Sequence, residues 1–151
     1  MSLRDWLANR WLVAHETSAE EIADLFAVVD RDLGDAAIPR LSADWRLGIA
    51  YNAALQLAHA ALAAEGYRPA KERAHERALL SLRFTVGLKQ NQVDLLDQTR
   101  RKRNLINYER AGTTSAAEAS EIYQAAIALR EMTVRWFQKR HKALLPPDVT
   151  P

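Results

Sequence analysis

The stretch Ser42-Ala43-Asp44-Trp45-Arg46-Leu47-Gly48-Ile49-Ala50-Tyr51-Asn52-Ala53-Ala54-Leu55-Gln56-Leu57-Ala58-His59-Ala60-Ala61-Leu62-Ala63-Ala64-Glu65-Gly66 decides the fold. Ser42 is an N-cap, because its hydroxyl can accept from an amide that a helix start leaves without a partner. Leu47, Ile49, Leu55, Leu57 and Leu62 carry the apolar load, and Gly66 supplies the left-handed residue on which helices commonly stop. From Ala50 to Ala64 the small side chains let neighbouring helices approach closely. A central, Ala-rich helix of this length predicts an all-α protein built as one helical bundle.

Outward from it, the same punctuation recurs. Leu3, Trp6, Leu7, Trp11 and Leu12 are spaced as one amphipathic helical segment. Ser18-Ala19-Glu20-Glu21 reads as a capping box. It opens a helix that carries Ile22, Leu25, Phe26, Val29 and Leu33 and ends at Gly34 and Pro39. After the breaker Pro69, helices are expected over about 71–88 and 90–107. Gly112-Thr113-Thr114 is the last break, and Ser115 begins a long helix through Ile122, Ile127, Leu129, Met132, Val134, Trp136 and Phe137. That makes five to six helices, with residues 1–41 as a helical addition packed on the bundle, 42–145 as its core, and the Pro-rich 146–151 as a frayed tail.

Composition agrees. A chain of 151 residues with 48% hydrophobic and 26% charged residues, and only five Gly and five Pro, has the make-up of one helical domain. With no cysteine, disulfides, thiol nucleophiles and thiolate zinc sites are excluded. No metal or other cofactor is expected, since no His-x-x-x-His or paired-carboxylate spacing occurs. Met1-Ser2-Leu3-Arg4-Asp5-Trp6 lacks a signal-peptide core and no apolar run reaches membrane-spanning length, so a soluble, cytoplasmic protein without a membrane partner is expected. A net charge of +2 argues neither for nor against nucleic acid, which shifts attention to local clusters.

The chemistry-bearing segment is Arg100-Arg101-Lys102-Arg103-Asn104-Leu105-Ile106-Asn107-Tyr108. At 100° per residue, Val93, Leu96, Arg100, Arg103, Asn104, Asn107 and Tyr108 share one broad arc with Asp97 at its edge, so the apolar stripe turns polar along its own direction. Planar guanidinium groups fit phosphate bidentately, and Asn and Tyr beside them suit a nucleotide or RNA. Cations in a last helical turn also offset the helix dipole, worth about 0.3 to 1 kcal/mol each, and Asp97 is placed to pair with Arg100 or Arg101. The second reading is therefore a solvated helix end. Trp6, Trp11, Trp45 and Trp136 lie with other apolar residues and are expected in core or dimer packing rather than base stacking, with Trp136-Phe137 the exception because adjacent helical residues cannot both face inward. His15 and His141 read as surface residues, whereas His59 and His75 flank the Gly66 turn.

Two blocks resemble the HEPN family, small helical domains found as ribonuclease toxins, toxin-antitoxin partners and RNA- or nucleotide-associated modules. They are Ala50 to Pro69 followed by Ala74-His75-Glu76-Arg77-Ala78-Leu79-Leu80, and Arg101 to Glu109. The family's nuclease motif is Arg, four residues, then His, often with Asn directly after the Arg. Arg103 and Asn104 match its start, and Tyr108 stands where the His would. An unperturbed Tyr has a pKa of about 10, a poor general base at neutral pH. The resemblance thus implies a HEPN-like module, non-catalytic or degenerate, that binds RNA, a nucleotide or a partner protein. Arg103, Asn104 and Tyr108 would occupy the catalytic positions, with Arg100, Arg101, Lys102 and Asn107 as the phosphate grip. It also implies a homodimer and a nucleotidyltransferase-like antitoxin as partner. The alternatives are a metal-independent ribonuclease toxin, using Arg103 with Tyr108 or with an imported His for which His75 is the outside candidate, and a structural subunit without a nucleic-acid role.

Overall fold

The computed structural model describes residues 1–108 and 111–151, excluding the side chains of Asn107 and Tyr108. Its elements are α1 (Leu3–Ala8), β1 (Leu12–Ala14), α2 (Ala19–Ala36), α3 (Ala43–Ala64), β2 (Tyr67–Pro69), α4 (Ala74–Ser81), α5 (Gln90–Tyr108) and α6 (Ala116–Arg140), followed by a short 3-10 turn at Lys142–Leu144. The protein is all-α, and its described residues form six helices with one small antiparallel β pair.

Helix α3 is the axis against which α2, α4, α5 and α6 pack. Its Ala50, Tyr51, Ala53, Ala54, Leu57, Ala58, Ala60, Ala61 and Leu62 are essentially without solvent exposure. This explains how one helix can be apolar all round: neighbours cover it on several sides. α3 is long and apolar enough by composition to cross a membrane, but most of that length is buried within the bundle. Ser42 caps it by accepting from the Trp45 amide at 3.2 Å, and its carboxyl end stops at Gly66, whose φ is +94°.

The first expected helix is cut short. Arg10 takes a left-handed φ of 63°, which ends α1 at Ala8, and Leu12–Ala14 instead pairs with Tyr67–Pro69 in the register Leu12 to Pro69. Leu12 is buried as expected, but from a strand. α2 runs past Gly34 to Ala36, and only half of the Ser18 box forms. The Ser18 hydroxyl accepts from the Glu21 amide at 3.1 Å, while the Glu21 carboxylate turns to His15 and Thr17, each at 2.7 Å. The expected helix over 71–88 shrinks to α4, which starts at a left-handed Arg73 and unwinds where the amides of Phe84 and Thr85 both donate to the Ser81 carbonyl. α6 starts with a complete capping box between Ser115 and Glu118.

Residues 1–41 share the core of the bundle through Trp6, Leu12, Ile22, Phe26 and Val29. The tail expected to fray lies against the bundle: Val149 packs on the core, and Arg130 donates to the Thr150 carbonyl at 2.6 Å. Trp136 and Phe137 both turn inward, edge to face at 5.2 Å between centroids, because His141 folds back against Trp136 to cover it. His15 and His141 are half-buried and bonded to Glu21 and Glu65 respectively, rather than free on the surface.

Candidate functional site

α5 begins as an ordinary packing helix, with Val93 and Leu96 buried and Thr99 turned back to donate to the Leu95 carbonyl at 2.7 Å. One turn later its inward stripe turns polar, and its cations divide by partner. Arg100 and Arg101 both reach Asp97, at 2.9 and 3.1 Å, so one carboxylate neutralises part of the cluster. Lys102 bonds Glu118 at the start of α6 and the Thr113 carbonyl, holding the end of α5 to the next connection. Arg103 behaves differently. Among the described residues it has no carboxylate partner, and its guanidinium carbon lies 5.5 Å from the centroid of the Tyr51 ring on α3, within cation–π range.

Tyr51 is fully buried and its hydroxyl meets no hydrogen-bond partner among the described residues. Burial pushes its pKa up to about 12 despite the opposing charges of Arg103 and Arg100. The phenol therefore stays protonated at neutral pH and acts as a wall beneath Arg103, not as a base.

Two cavities lie along the later turns of α5. One, of about 560 Å³, runs between the start of α3 and the end of α5 and is lined by Ser42, Asp44, Trp45, Gly48, Ile49, Asn52, Arg103, Ile106 and Ala111. Trp45, Gly48, Ile49 and Asn52 share one helical face, and Trp45 is 68% exposed, so it lies outside the core of this chain. Asp44 closes one end by accepting from the amides of Gly112 and Thr114. The neighbouring Thr114 hydroxyl and then the Gly112 amide hold its carboxyl below the usual range. Asn52 is fixed from behind: its Nδ2 donates to Asp32 at 2.6 Å and its Oδ1 accepts from Gln56 at 3.3 Å.

The second cavity, about 320 Å³, lies between α4 and α5 and holds Lys71, Arg73, His75, Glu76, Arg100 and Asn104. Burial, and then the Arg103 and Arg100 charges, lower the His75 pKa, so its imidazole is neutral at pH 7 and available to accept a proton. Arg73 is bound to Glu76 through two bonds of 2.8 Å and Arg100 to Asp97, which leaves Lys71 as the lining cation without a carboxylate partner among the described residues.

The arc read from the sequence is thus divided between two cavities. Arg103 faces the first cavity, Arg100 and Asn104 face the second, and Arg101 and Lys102 are tied to neighbouring carboxylates. The side chains of Asn107 and Tyr108 lie outside the described residues. Trp45, Asn52 and Asp44 were not among the expected site residues; the signal that finds them is the i, i+3, i+4, i+7 face of α3, where Gly48 and Asn52 interrupt an apolar pattern. Among the described residues no group of three or more His, Asp or Glu side chains is gathered as a metal site. No family model matches the chain, nor does any curated protein or solved structure.

Proposed function

We propose that the protein is a HEPN-like module that binds single-stranded RNA without cleaving it, gripping phosphates along α5. The observation that carries this reading is Arg103: half-buried, held over Tyr51, without a carboxylate partner among the described residues, and facing a cavity rimmed by an exposed Trp. A guanidinium placed so is oriented before a ligand arrives, and an exposed aromatic ring at 68% accessibility offers a base a stacking surface.

The test is titration of a labelled single-stranded RNA at two salt concentrations. Arg103→Ala is expected to weaken binding at least tenfold and to reduce the salt slope by about 0.7, the value of one phosphate contact on a single strand. Arg101→Ala, whose cation is already paired with Asp97, changes binding less. If the RNA does not bind, or binds the variant equally well, the module reading fails.

A metal-independent ribonuclease is the second reading, favoured by the placing of His75 with Arg100 and Asn104 in one cavity. It predicts RNA cleavage in the presence of a chelator that is lost in His75→Ala. In either reading the homodimer and the nucleotidyltransferase-like partner are the assemblies in which to repeat the measurement.

A further inference from the structure

We propose that the cavity between α3 and α5 is an adenine subsite, with Trp45 stacking on the base, Asn52 reading its edge and Arg103 taking the adjoining phosphate. This rests on the RNA-binding reading and deepens it by naming the base.

Asn52 supplies the polar contact to the base edge. Asp32 is 5% exposed and, as a carboxylate, only accepts, so the amide nitrogen of Asn52 must face it. The bond from Gln56 then fixes the amide oxygen. An Asn side chain has two N–H donors and two carbonyl lone pairs, so one of each remains uncommitted after these bonds. A donor beside an acceptor matches adenine at N6–H/N7 and N6–H/N1, and it also matches the N3–H and O4 of uracil and the N1–H and O6 of guanine. Adenine is selected instead by its larger ring over Trp45 and by its N6 amino group, which the Asp44 carboxylate accepts from and where uracil and guanine present a carbonyl.

The rest of the cavity fits a base. Trp45 presents a ring at the mouth, Gly48 leaves the wall open since a Cβ there would meet nothing within 4 Å, and Ile49 and Ile106 supply apolar sides. The Asp44 carboxylate at one end favours an amino group over a carbonyl or phosphate, and Arg103 supplies the cation.

The shared chemistry, an adenine nucleotide, comes from free AMP or from RNA, and the experiment separates the two. AMP, UMP, a ten-residue oligo(A) and a ten-residue oligo(U) are titrated against the full chain, against Trp45→Ala, and against Gly48→Leu, which fills the cavity from an ordinary helical position. Adenine ligands are expected to bind about tenfold more tightly than their uracil counterparts, and both variants to lose about tenfold in affinity for them, the scale of one base stack. Preference within the AMP and UMP pair alone supports the subsite with free nucleotide as its source, and preference within the oligonucleotides alone supports it with RNA as its source. Equal binding of A and U, or unchanged binding by folded Trp45→Ala, overturns the adenine subsite; if Arg103→Ala still weakens the oligonucleotides, the RNA module survives. Binding of none of the four overturns both.

Discussion

The Arg103 guanidinium carbon lies 5.5 Å from the centroid of the Tyr51 ring, and the hydroxyl of that ring is buried with no partner among the described residues. The ring face and the hydroxyl therefore contribute with opposite sign. A cation over a partly desolvated ring is favourable by about 0.5–2 kcal/mol, whereas an orphaned buried donor costs about 1–3 kcal/mol. Tyr51→Phe keeps the first and removes the second, so its urea midpoint is expected to equal or exceed that of the parent. Tyr51→Leu loses the ring and falls below it. A clear loss of stability in Tyr51→Phe would show that the hydroxyl has a partner in solution. In an absorbance titration, one tyrosine is expected to ionise near pH 12.

His59 contributes to the behaviour in mild acid together with His75, whose pKa is lowered as well. Burial, and then the charge of His75, lower the His59 pKa below the ordinary 6.5. It shares a cavity of about 220 Å³ with His15, Glu21, Tyr67 and Arg68. Its folded pKa lies below its unfolded one, so the unfolded chain binds the proton first as pH falls through 6.5. Stability is full above that pH and declines below it. The urea midpoint at pH 5.5 is expected to be lower than at pH 7.5, and His59→Gln to shrink the difference. The carboxyls of Glu21, Glu76 and Glu118 are also lowered from 4.5, and their contribution is lost separately, as pH falls below that value. An unchanged difference in His59→Gln would mean that the imidazole is protonated freely in the folded state.

The contrast between α3 and β1 shows what the sequence makes legible. Ser42, the Ala-rich run and Gly66 announce α3 because each acts over a few residues. Leu12–Ala14 finds its partner more than fifty positions away in Tyr67–Pro69, and a three-residue strand has too few alternations to mark itself. The expected 71–88 helix failed for a similar reason: Arg73 adopts φ 54° without being Gly, and no residue type advertised it. At the site, the cations of α5 were visible as a run, but their sorting was not. Whether Arg100 is paired and Arg103 available depends on Asp97 one turn back and Tyr51 across the helix interface, and the second of these is a tertiary fact.

Asp44 ties the connection after α5 to the start of α3. Its two carboxylate oxygens accept from Gly112 and Thr114, while Lys102 holds the Thr113 carbonyl between them. Asp44→Ala removes both acceptors without touching the core. Amide hydrogen exchange at Gly112 and Thr114 is expected to accelerate while exchange in the buried part of α3 stays unchanged. The Asp44 carboxyl is held below 3.8, so the protection should persist through mild acid to below that pH in the parent chain. Protection that survives Asp44→Ala would assign the tie to Lys102 alone.

Two glycines give opposite expectations for one substitution. Gly34 lies inside α2 in the ordinary helical region, and a Cβ there meets nothing within 4 Å. Gly34→Ala removes backbone freedom from the unfolded chain and should raise the unfolding free energy by about 0.5–1 kcal/mol. At Gly66 space is equally available, since the nearest atom to a Cβ would be the His15 carbonyl oxygen at 4.0 Å. Conformation decides instead: φ is +94°, and an L side chain in a left-handed residue costs roughly 1–2 kcal/mol. Gly66→Ala should therefore lower stability by at least about 1 kcal/mol, and thermal unfolding separates the two variants because each kcal/mol moves Tm by about 2–4 °C in a chain of this size. Gly66 lies at the carboxyl end of α3, remote in sequence from Trp45 and Asn52 near its start. If Gly66→Ala weakens RNA binding at temperatures where it remains folded, the effect would have to travel along α3, and the rigid positioning of Asn52 by Asp32 and Gln56 argues that it does not.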